Sequence, residues 1–346
     1  MMGSFRTFAM LTAVAAVSAA SADQPIRVVS LNILGYGNAG SAEYNALVRI
    51  VQALDADIVM LQEAFNDNGR VAFQTAFQAD FPFRALSSPD GAGLRMHTFS
   101  RWPLQNPANL FIPGFTRPTL RTDVDIDADN PGPELRLYNL HLNAGSAADD
   151  EQDRFDMAIR IRDDINTLRL TSPDFRIIVA GDFNEQPNEP GILQLMPPVY
   201  NLQLNDERDP NNGSFATRPV SGRNIDHFLV SNTVDAVVTN TFVFNTFTFA
   251  PSLPPPPALA TDSSTASDHV AVVMDFVLVS YIKGDLNLDG IVSVGDIGPF
   301  VTLLTNELGY RAAFPAADVL EVGDLNNDGV ISVGDIGPFV NLLTGL

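Results

Sequence analysis

Between residues 23 and 282, short apolar runs rich in branched side chains alternate with stretches whose apolar positions recur every three or four residues. The runs Ile26–Leu31, Ile58–Leu61, Leu135–Leu142, Ile177–Ala180, His227–Val230 and Val270–Val279 have strand length and composition, and each predicts a β-strand. Helical spacing is clearest at Ala158, Ile161, Ile165 and Leu168, and around Leu47, Ile50, Val51 and Leu54. Strands and helices interleaved along one chain predict an α/β sandwich. The stretch PSLPPPPALATDSSTAS from Pro251 has the composition of a linker but precedes another strand, so it reads as an extended loop within the domain. The boundary between this domain and the C-terminal segment falls near Tyr281–Lys283.

The two ends carry different patterns. Arg6, the apolar Ala9–Val17 and the small-x-small Ala20-Ser21-Ala22 form an export signal, with an apolar core too short to cross a bilayer. Residues 1–22 are therefore expected to be removed, leaving a secreted, periplasmic or cell-surface chain from Asp23; an uncleaved anchor is the alternative. No later run is long and apolar enough to predict stable membrane insertion. At the other end, GDLNLDGIVSVGDIGPFVTLLT from Gly284 recurs as GDLNNDGVISVGDIGPFVNLLT from Gly323. Each copy places oxygen-bearing side chains at loop positions 1, 3, 5 and 12: Asp285, Asn287, Asp289 and Asp296, then Asp324, Asn326, Asp328 and Asp335. Gly290 and Gly329 fall at the sharp turn of position 6, and the carbonyls of Ile291 and Val330 at position 7. That ring of hard oxygens suits Ca²⁺, two ions in all, although Asp at position 12 is shorter than the usual Glu. Ile297, Phe300, Val301 and Leu304, with Ile336, Phe339, Val340 and Leu343, then predict a helix after each loop. An Asx-rich turn without metal is the plainer reading.

Charge narrows the field. The chain has 41 Asp and Glu against 20 Lys and Arg, a formal charge of −21, and only one lysine, Lys283. A protein that grips polyphosphate through a broad basic face is excluded. With no cysteine, disulfides, thiolate metal sites and cysteine nucleophiles are excluded too. Residues 283–346 hold nine acids against Lys283 and Arg311, and most of those acids are the loop residues just named.

The chemistry-bearing residues sit where apolar strands end. Asn32 closes VVSLN, Glu63 comes directly after DIVMLQ, His141 lies in LYNLHL, Asp182 and Asn184 in GDFN, Asp226 in NIDHFLV, and Asp268-His269 in SDHVAV. Burying such groups without partners is costly, so they are expected to meet one another. Asn and Glu on neighbouring strands suit Mg²⁺, while Asp226 and His269 suit a carboxylate–imidazole pair. Ser267 beside Asp-His raises a serine hydrolase, but no G-x-S-x-G elbow is present.

In this order the set resembles the endonuclease/exonuclease/phosphatase superfamily, the DNase I-like fold, over nearly all of residues 25–280. The resemblance implies a four-layer α/β sandwich that hydrolyses phosphoesters with Mg²⁺ or Mn²⁺. It places Asn32 and Glu63 at the metal with Asp268 nearby, Asp182 on the attacking water and Asn184 on the phosphate. His269, polarised by Asp226, is the general acid/base or stabiliser of the transition state, and His141 contacts the phosphate from the other side. Arg117 is the phosphate-binding arginine, with Arg121 as competitor. Two departures stand out. Leu34 occupies a position often acidic in abasic-site enzymes, and the FSRWP region supplies His97 and Phe99 but no tyrosine contact. The tail, residues 283–346, resembles a type I dockerin, a small all-α, EF-hand-like module that docks onto cohesins. Its loop positions 10 and 11, often polar in dockerins, are Val294-Gly295 and Val333-Gly334.

Three functions are expected from these features. The first is an exported, monomeric nuclease or phosphodiesterase on DNA or RNA. The second is a sphingomyelinase-type lipid phosphodiesterase or small-molecule phosphatase. The third is a surface scaffold with a vestigial enzyme fold, its tail engaging a cohesin-like or cell-surface partner.

Overall fold

The computed structural model describes residues 23–126, 133–250 and 252–345. Residues 1–22, expected to be an export signal, lie outside the described residues. Among the described residues twelve strands are formed: β1 Gln24–Asn32, β2 Ile58–Gln62, β3 Phe83–Leu86, β4 His97–Ser100, β5 Leu104–Ile112, β6 Phe115–Val124, β7 Leu135–His141, β8 Arg176–Asp182, β9 Gln203–Leu204, β10 Asp226–Val230, β11 Val238–Phe244 and β12 Ala271–Leu278. They make two six-stranded sheets, in the orders β11-β12-β1-β2-β4-β3 and β5-β6-β7-β8-β10-β9. Both sheets are mixed, because β1–β2 and β7–β8 run parallel while their other pairs are antiparallel.

Strand parity explains the layering. Along β1, Ile26 and Val28 point into an apolar cluster shared with Leu135, Leu137, Ile178, Ala180 and Phe228 of the other sheet. Val29 and Leu31, the alternate residues, pack instead under helix α1 (Ala42–Leu54) and Phe73 of α2 (Asp67–Ala76). On the second sheet, Tyr138, Leu140, Ile177 and Val179 turn outward onto Met157, Ala158, Ile161 and Ile165 of α3 (Ala148–Arg169). Side chains of period two on a strand and 3.6 on a helix thus produce helix, sheet, sheet, helix. All six predicted strands are present. Among those unpredicted, β5 is an edge strand whose residues are mostly half-buried or exposed, with Pro107 inside a register shift. Edges and bulges are where a strand tolerates proline, and they lack an apolar pattern to read.

The C-terminal repeats build a separate apolar cluster around Leu286, Phe300, Leu303, Tyr310, Val322 and Phe339. The Phe300 and Phe339 rings meet with centroids 4.4 Å apart, one from each of the helices Ile297–Thr305 and Ile336–Thr344. Of the predicted helical positions, only the Phe300 and Phe339 side chains are fully buried, while Ile297, Val301, Ile336 and Val340 remain exposed. A short helix pair has too small an interior to cover a helix that is apolar on more than one face. The repeats rest on the sandwich through an Arg311–Asp174 ion pair and through Arg176, whose guanidinium lies 4.5 Å from the Tyr281 ring centre.

Candidate active site

The space between the two sheets changes character toward one end. Inner-face positions run Ile26, Val28, Ser30, Asn32 on β1 and Ile58, Met60, Gln62 on β2. On the facing sheet they run Leu135, Leu137, Asn139, His141 on β7, Ile178, Ala180, Asp182 on β8, and Val230, Phe228, Asp226 on the antiparallel β10. Every row is apolar for two positions and then polar, so the polar ends collect at one edge of the sandwich. Register does the rest: His141 pairs with Asp182 across β7–β8, and Asp226 pairs with Asp182 across β8–β10. Gly181 lets the two strands come this close, since a Cβ there would sit 2.0 Å from the Leu140 carbonyl oxygen.

The side chains converge as the row ends predict. The Asn32 amide donates to Asp182 Oδ2 at 3.0 Å and to Glu63 Oε1 at 3.1 Å, joining the two sheets. Glu63 reaches it from a left-handed residue, φ 54°, that bends the chain at the end of β2. His141 Nε2 stands 3.6 Å from both Glu63 and Asp182. His269 Nδ1 is 2.8 Å from Asp226 Oδ2, and its Nε2 lies 3.7 Å from Asp182 Oδ2. Asn184, also left-handed, gives its backbone N–H to Asp182 Oδ1 at 2.8 Å and its side-chain amide to the Leu142 carbonyl at 3.1 Å.

Electrostatics divide the two histidines. Burial lowers His141 well below the ordinary imidazole value, with Arg117 and His269 adding to the effect, so it is neutral. Burial also works against charge on His269, but Asp226, then Asp182 and Asp268, outweigh it and raise the group to about 9. Asp182 is raised to about 7, first by burial and then by Asp226, against the pull of His269. One site therefore holds a charged imidazolium, a neutral imidazole and a carboxyl that titrates near neutrality, which is how acid and base roles are separated.

Other expected residues lie around this cluster. Arg117 is on the His141 side, its Nε bound to Asp90 at 2.8 Å and its Nη1 to the Leu142 carbonyl at 3.3 Å. Its competitor Arg121 points to α3, where it binds Asp164 at 3.0 Å, and is removed from the site. Asp268 is engaged by Arg218 at 2.6 Å rather than by Asn32 or Glu63. His97 is a core residue: fully buried, bonded to the Tyr36 hydroxyl at 2.7 Å, and pushed down to about 3 by desolvation. Sequence reasoning missed Arg218, Gln62 and Asn139. Gln62 Nε2 donates to Asn139 Oδ1 at 2.9 Å and to Ser30 at 3.1 Å, a polar bridge across the sheets directly beneath the cluster. The signal was present, since both polar residues fall on the inner-face parity of an otherwise apolar strand.

The donor set fits a divalent cation. Asp182 and Asp226 share one spot with His269, the Asn32 amide ties Glu63 to Asp182, and among the described residues the buried Asp226 Oδ1 has no hydrogen-bond partner. Asp182 is raised first by burial and then by the Asp226 charge, and a cation relieves both as a proton does. Ligand atoms of Asp182, Asp226 and His269 lie within 4.8 Å of one another. The imidazole, however, is committed to Asp226 and protonated, so Asn32, Glu63 and Asp182 form the better set, and oxygen donors suit Mg²⁺ or Mn²⁺.

In the C-terminal loops each acid serves its own turn. Asp285 accepts from Asp289 N at 3.1 Å and Gly290 N at 2.8 Å; Asp324 accepts from Asp328 N at 3.1 Å and Gly329 N at 2.9 Å. Asp296 is fully buried and accepts from Leu286, Asn287 and Ser293 N–H groups, and Asp335 does the same for Leu325, Asn326 and Ser332. Asn287 and Asn326 bond Asp289 and Asp328, both at 2.8 Å. Gly290 and Gly329 take φ +85° and +82°, the left-handed turn that position 6 requires.

A two-sheet sandwich with carboxylates, an amide and two histidines at one edge defines a phosphoester-hydrolase class of site. The family model described as the Endonuclease/Exonuclease/phosphatase family matches residues 29–269, and the chain belongs to that family. It is accordingly a phosphoester hydrolase, of a family that is divalent-metal dependent, and it carries a buried Asp182–Asp226–His269 cluster. Similar solved structures include truncated TDP2 from Caenorhabditis elegans, 16% identical, TM-score 0.52, covering 73% of this chain and 98% of that one. An endonuclease/exonuclease/phosphatase family protein from Bacteroides thetaiotaomicron is 18% identical, with TM-score 0.52, 74% of this chain and 96% of that one covered. Beta toxin from Staphylococcus aureus is 13% identical, with TM-score 0.51 and coverages of 72% and 99%. At these identities the likeness speaks for the fold. No curated protein matches the sequence. Among the described residues no helix is long and apolar enough to cross a membrane.

Proposed function

We propose that the chain is an exported phosphodiesterase, a nuclease in the first instance, working with Mg²⁺ or Mn²⁺ held by Asn32, Glu63 and Asp182. The carrying observation is the His269–Asp226 pair at 2.8 Å with its free nitrogen aimed at Asp182. The cation's contribution is to neutralise developing charge on the phosphoryl oxygens. Asp182, buried and 3.7 Å from His269 Nε2, orients the attacking water and takes its proton. His269, charged and held by Asp226, donates to the phosphoryl or leaving oxygen, and neutral His141 contacts the phosphate from the Glu63 side. Asn184 steadies Asp182 through its backbone N–H. The set of partners is too complete for a vestigial enzyme.

Residues 283–346 are proposed as a distinct module, bounded at Tyr281–Lys283, that binds two Ca²⁺ in its loops and engages a cohesin-like or surface partner. The near-identical hydrogen bonding of the two loops supports this reading. A lipid substrate has one observation in its favour: Phe111, at the β5–β6 turn, is exposed. Plasmid DNA, RNA, sphingomyelin and bis(p-nitrophenyl) phosphate, each with Mg²⁺, Mn²⁺ or EDTA, separate these readings. Cleavage of nucleic acid with metal alone is expected; cleavage of sphingomyelin only selects the lipid reading, and no cleavage of any of them removes both.

A further inference from the structure

Beside the cluster opens a cleft of about 580 Å³, bounded by the turn after β1, the Pro219-Val220 turn, Phe247 and the short helix Asp262–Ala266. Three apolar residues that line it are conspicuously exposed: Leu34 at 54%, Val220 at 85% and Phe247 at 72%. Singly, exposed apolar residues mean little; three gathered on one concave surface mark a contact site. Leu34 adds a second observation. Its φ of 47° is a left-handed conformation that penalises residues with a Cβ. The turn is held by Asn32 Oδ1, which accepts the Leu34 N–H at 3.2 Å. Gly35 is next at φ +87°, where a Cβ would sit 2.7 Å from the Phe65 ring. A strained turn anchored on an active-site amide thus holds an apolar side chain out over the cleft.

The cleft adjoins the cluster along the segment that leads into His269. Ser267 and Asp268 line the cleft. The Ser267 hydroxyl also donates to the Asn32 carbonyl at 2.7 Å and accepts the His269 N–H at 3.1 Å. The ionisable groups lining the cleft are Glu43 and Asp268, both acids, and Arg218 at its edge is bound to Asp268 at 2.6 Å. A second phosphate is unwelcome there, whereas an uncharged group is accepted, and the exposed Phe247 ring offers a stacking face.

Building on the phosphoester reading above, we propose that this cleft receives an uncharged aromatic ring esterified to the phosphate bound at the catalytic cluster, with Leu34, Val220 and Phe247 setting the preference. Calorimetric titration of the full chain with Mg²⁺ compares phenyl phosphate with methyl phosphate. Phenyl phosphate is expected to bind at least about tenfold more tightly, and Val220→Asp or Phe247→Ala to shrink that ratio below about threefold. Both positions are exposed, and unchanged melting temperatures verify the fold. Equal affinities in the parent chain, or a ratio that survives both substitutions, overturns the proposal. Hydrolysis of methyl p-nitrophenyl phosphate is monitored in parallel. Turnover without an affinity gap overturns the cleft and leaves the phosphoester reading standing; a gap without turnover of any diester upholds the cleft and overturns that reading.

Discussion

Two groups of acids, drawn from one strongly acidic chain, are used in opposite ways. In the C-terminal loops the carboxylates of Asp285 and Asp296 accept backbone N–H groups from residues at most ten positions away, and their counterparts repeat the pattern. In the sandwich, Asn32, Glu63, Asp182, Asp226 and His269 come from distant strands, and they leave Asp226 Oδ1 without a partner and Asp182 elevated. Local acids close turns, and although burial and then Asp296 and Asp289 raise Asp285, the backbone N–H groups of Gly290 and Asp289 oppose that shift. Acids assembled by tertiary structure are buried beside one another, which raises Asp182, and the proposed function puts that to use at a metal and a phosphoryl transition state.

The largest effects should fall on the sandwich. Asp182→Asn removes the group that receives the proton, and kcat for bis(p-nitrophenyl) phosphate should fall by roughly a thousandfold; His269→Ala should lower it by about 10²–10⁴-fold. Because the two act as a unit, the double variant should be little worse than the worse single one, as steady-state kinetics on the three proteins will test. Losing only threefold in either single variant breaks the comparison on the catalytic side.

The tail is expected to respond in stability. Asp296→Ala strands the buried Leu286 N–H and the half-buried Asn287 and Ser293 N–H groups, at a local cost of about 1–3 kcal/mol. Hydrogen exchange should accelerate across residues 285–304 while protection in β7 and β8 is retained. Saturating Ca²⁺, at ~100 times its Kd, should restore protection to the native loops by about 2.7 kcal/mol. If exchange in the native tail is identical in Ca²⁺ and EDTA, the loops are Asx turns and nothing more.

A smaller effect concerns acid. His97 is held at about 3 by burial, whereas the unfolded chain protonates it near 6.5. The folded value is the lower one, so the stability is present above pH 6.5 and lost as pH falls below it, by about 1.4 kcal/mol per pH unit. Between pH 6.5 and 5, His97→Gln should flatten the pH dependence of urea-unfolding stability by about 2 kcal/mol, whatever its effect on absolute stability. An unchanged slope would show that His97 is charged in the folded protein.

Legibility from sequence divides along the same line. In the tail the left-handed turns at Gly290 and Gly329 were readable, because position 6 of a twelve-residue loop requires them. The central strands were readable because they are apolar on both faces, and the polar residues at their ends were readable as a set. Edge strands such as β5, half exposed and interrupted by Pro107, carry no such pattern. Arg218 was missed because its meaning depends on meeting Asp268, 50 residues away, and no periodicity records that contact. Arg117 and Arg121, four residues apart on β6, share composition and strand parity; only their partners, Asp90 for the one and Asp164 for the other, tell them apart. Gln62 and Asn139 sat in plain view at inner-face parity, and a stricter reading of period two would have found them.

The central claim is that the polar ends of these strands form one metal-dependent hydrolytic centre organised by the Asp226–His269 pair. Its most direct test is the rate of bis(p-nitrophenyl) phosphate hydrolysis by the full chain in Mg²⁺, in EDTA, and in Mg²⁺ with Asp226→Asn. The account predicts that EDTA abolishes turnover, and that Asp226→Asn lowers it by about a hundredfold or more and shifts the alkaline limb of the pH–rate profile to lower pH, because His269 loses the partner that keeps it charged. Undiminished turnover in EDTA, or an Asp226→Asn variant with the parent rate and pH profile, would contradict it.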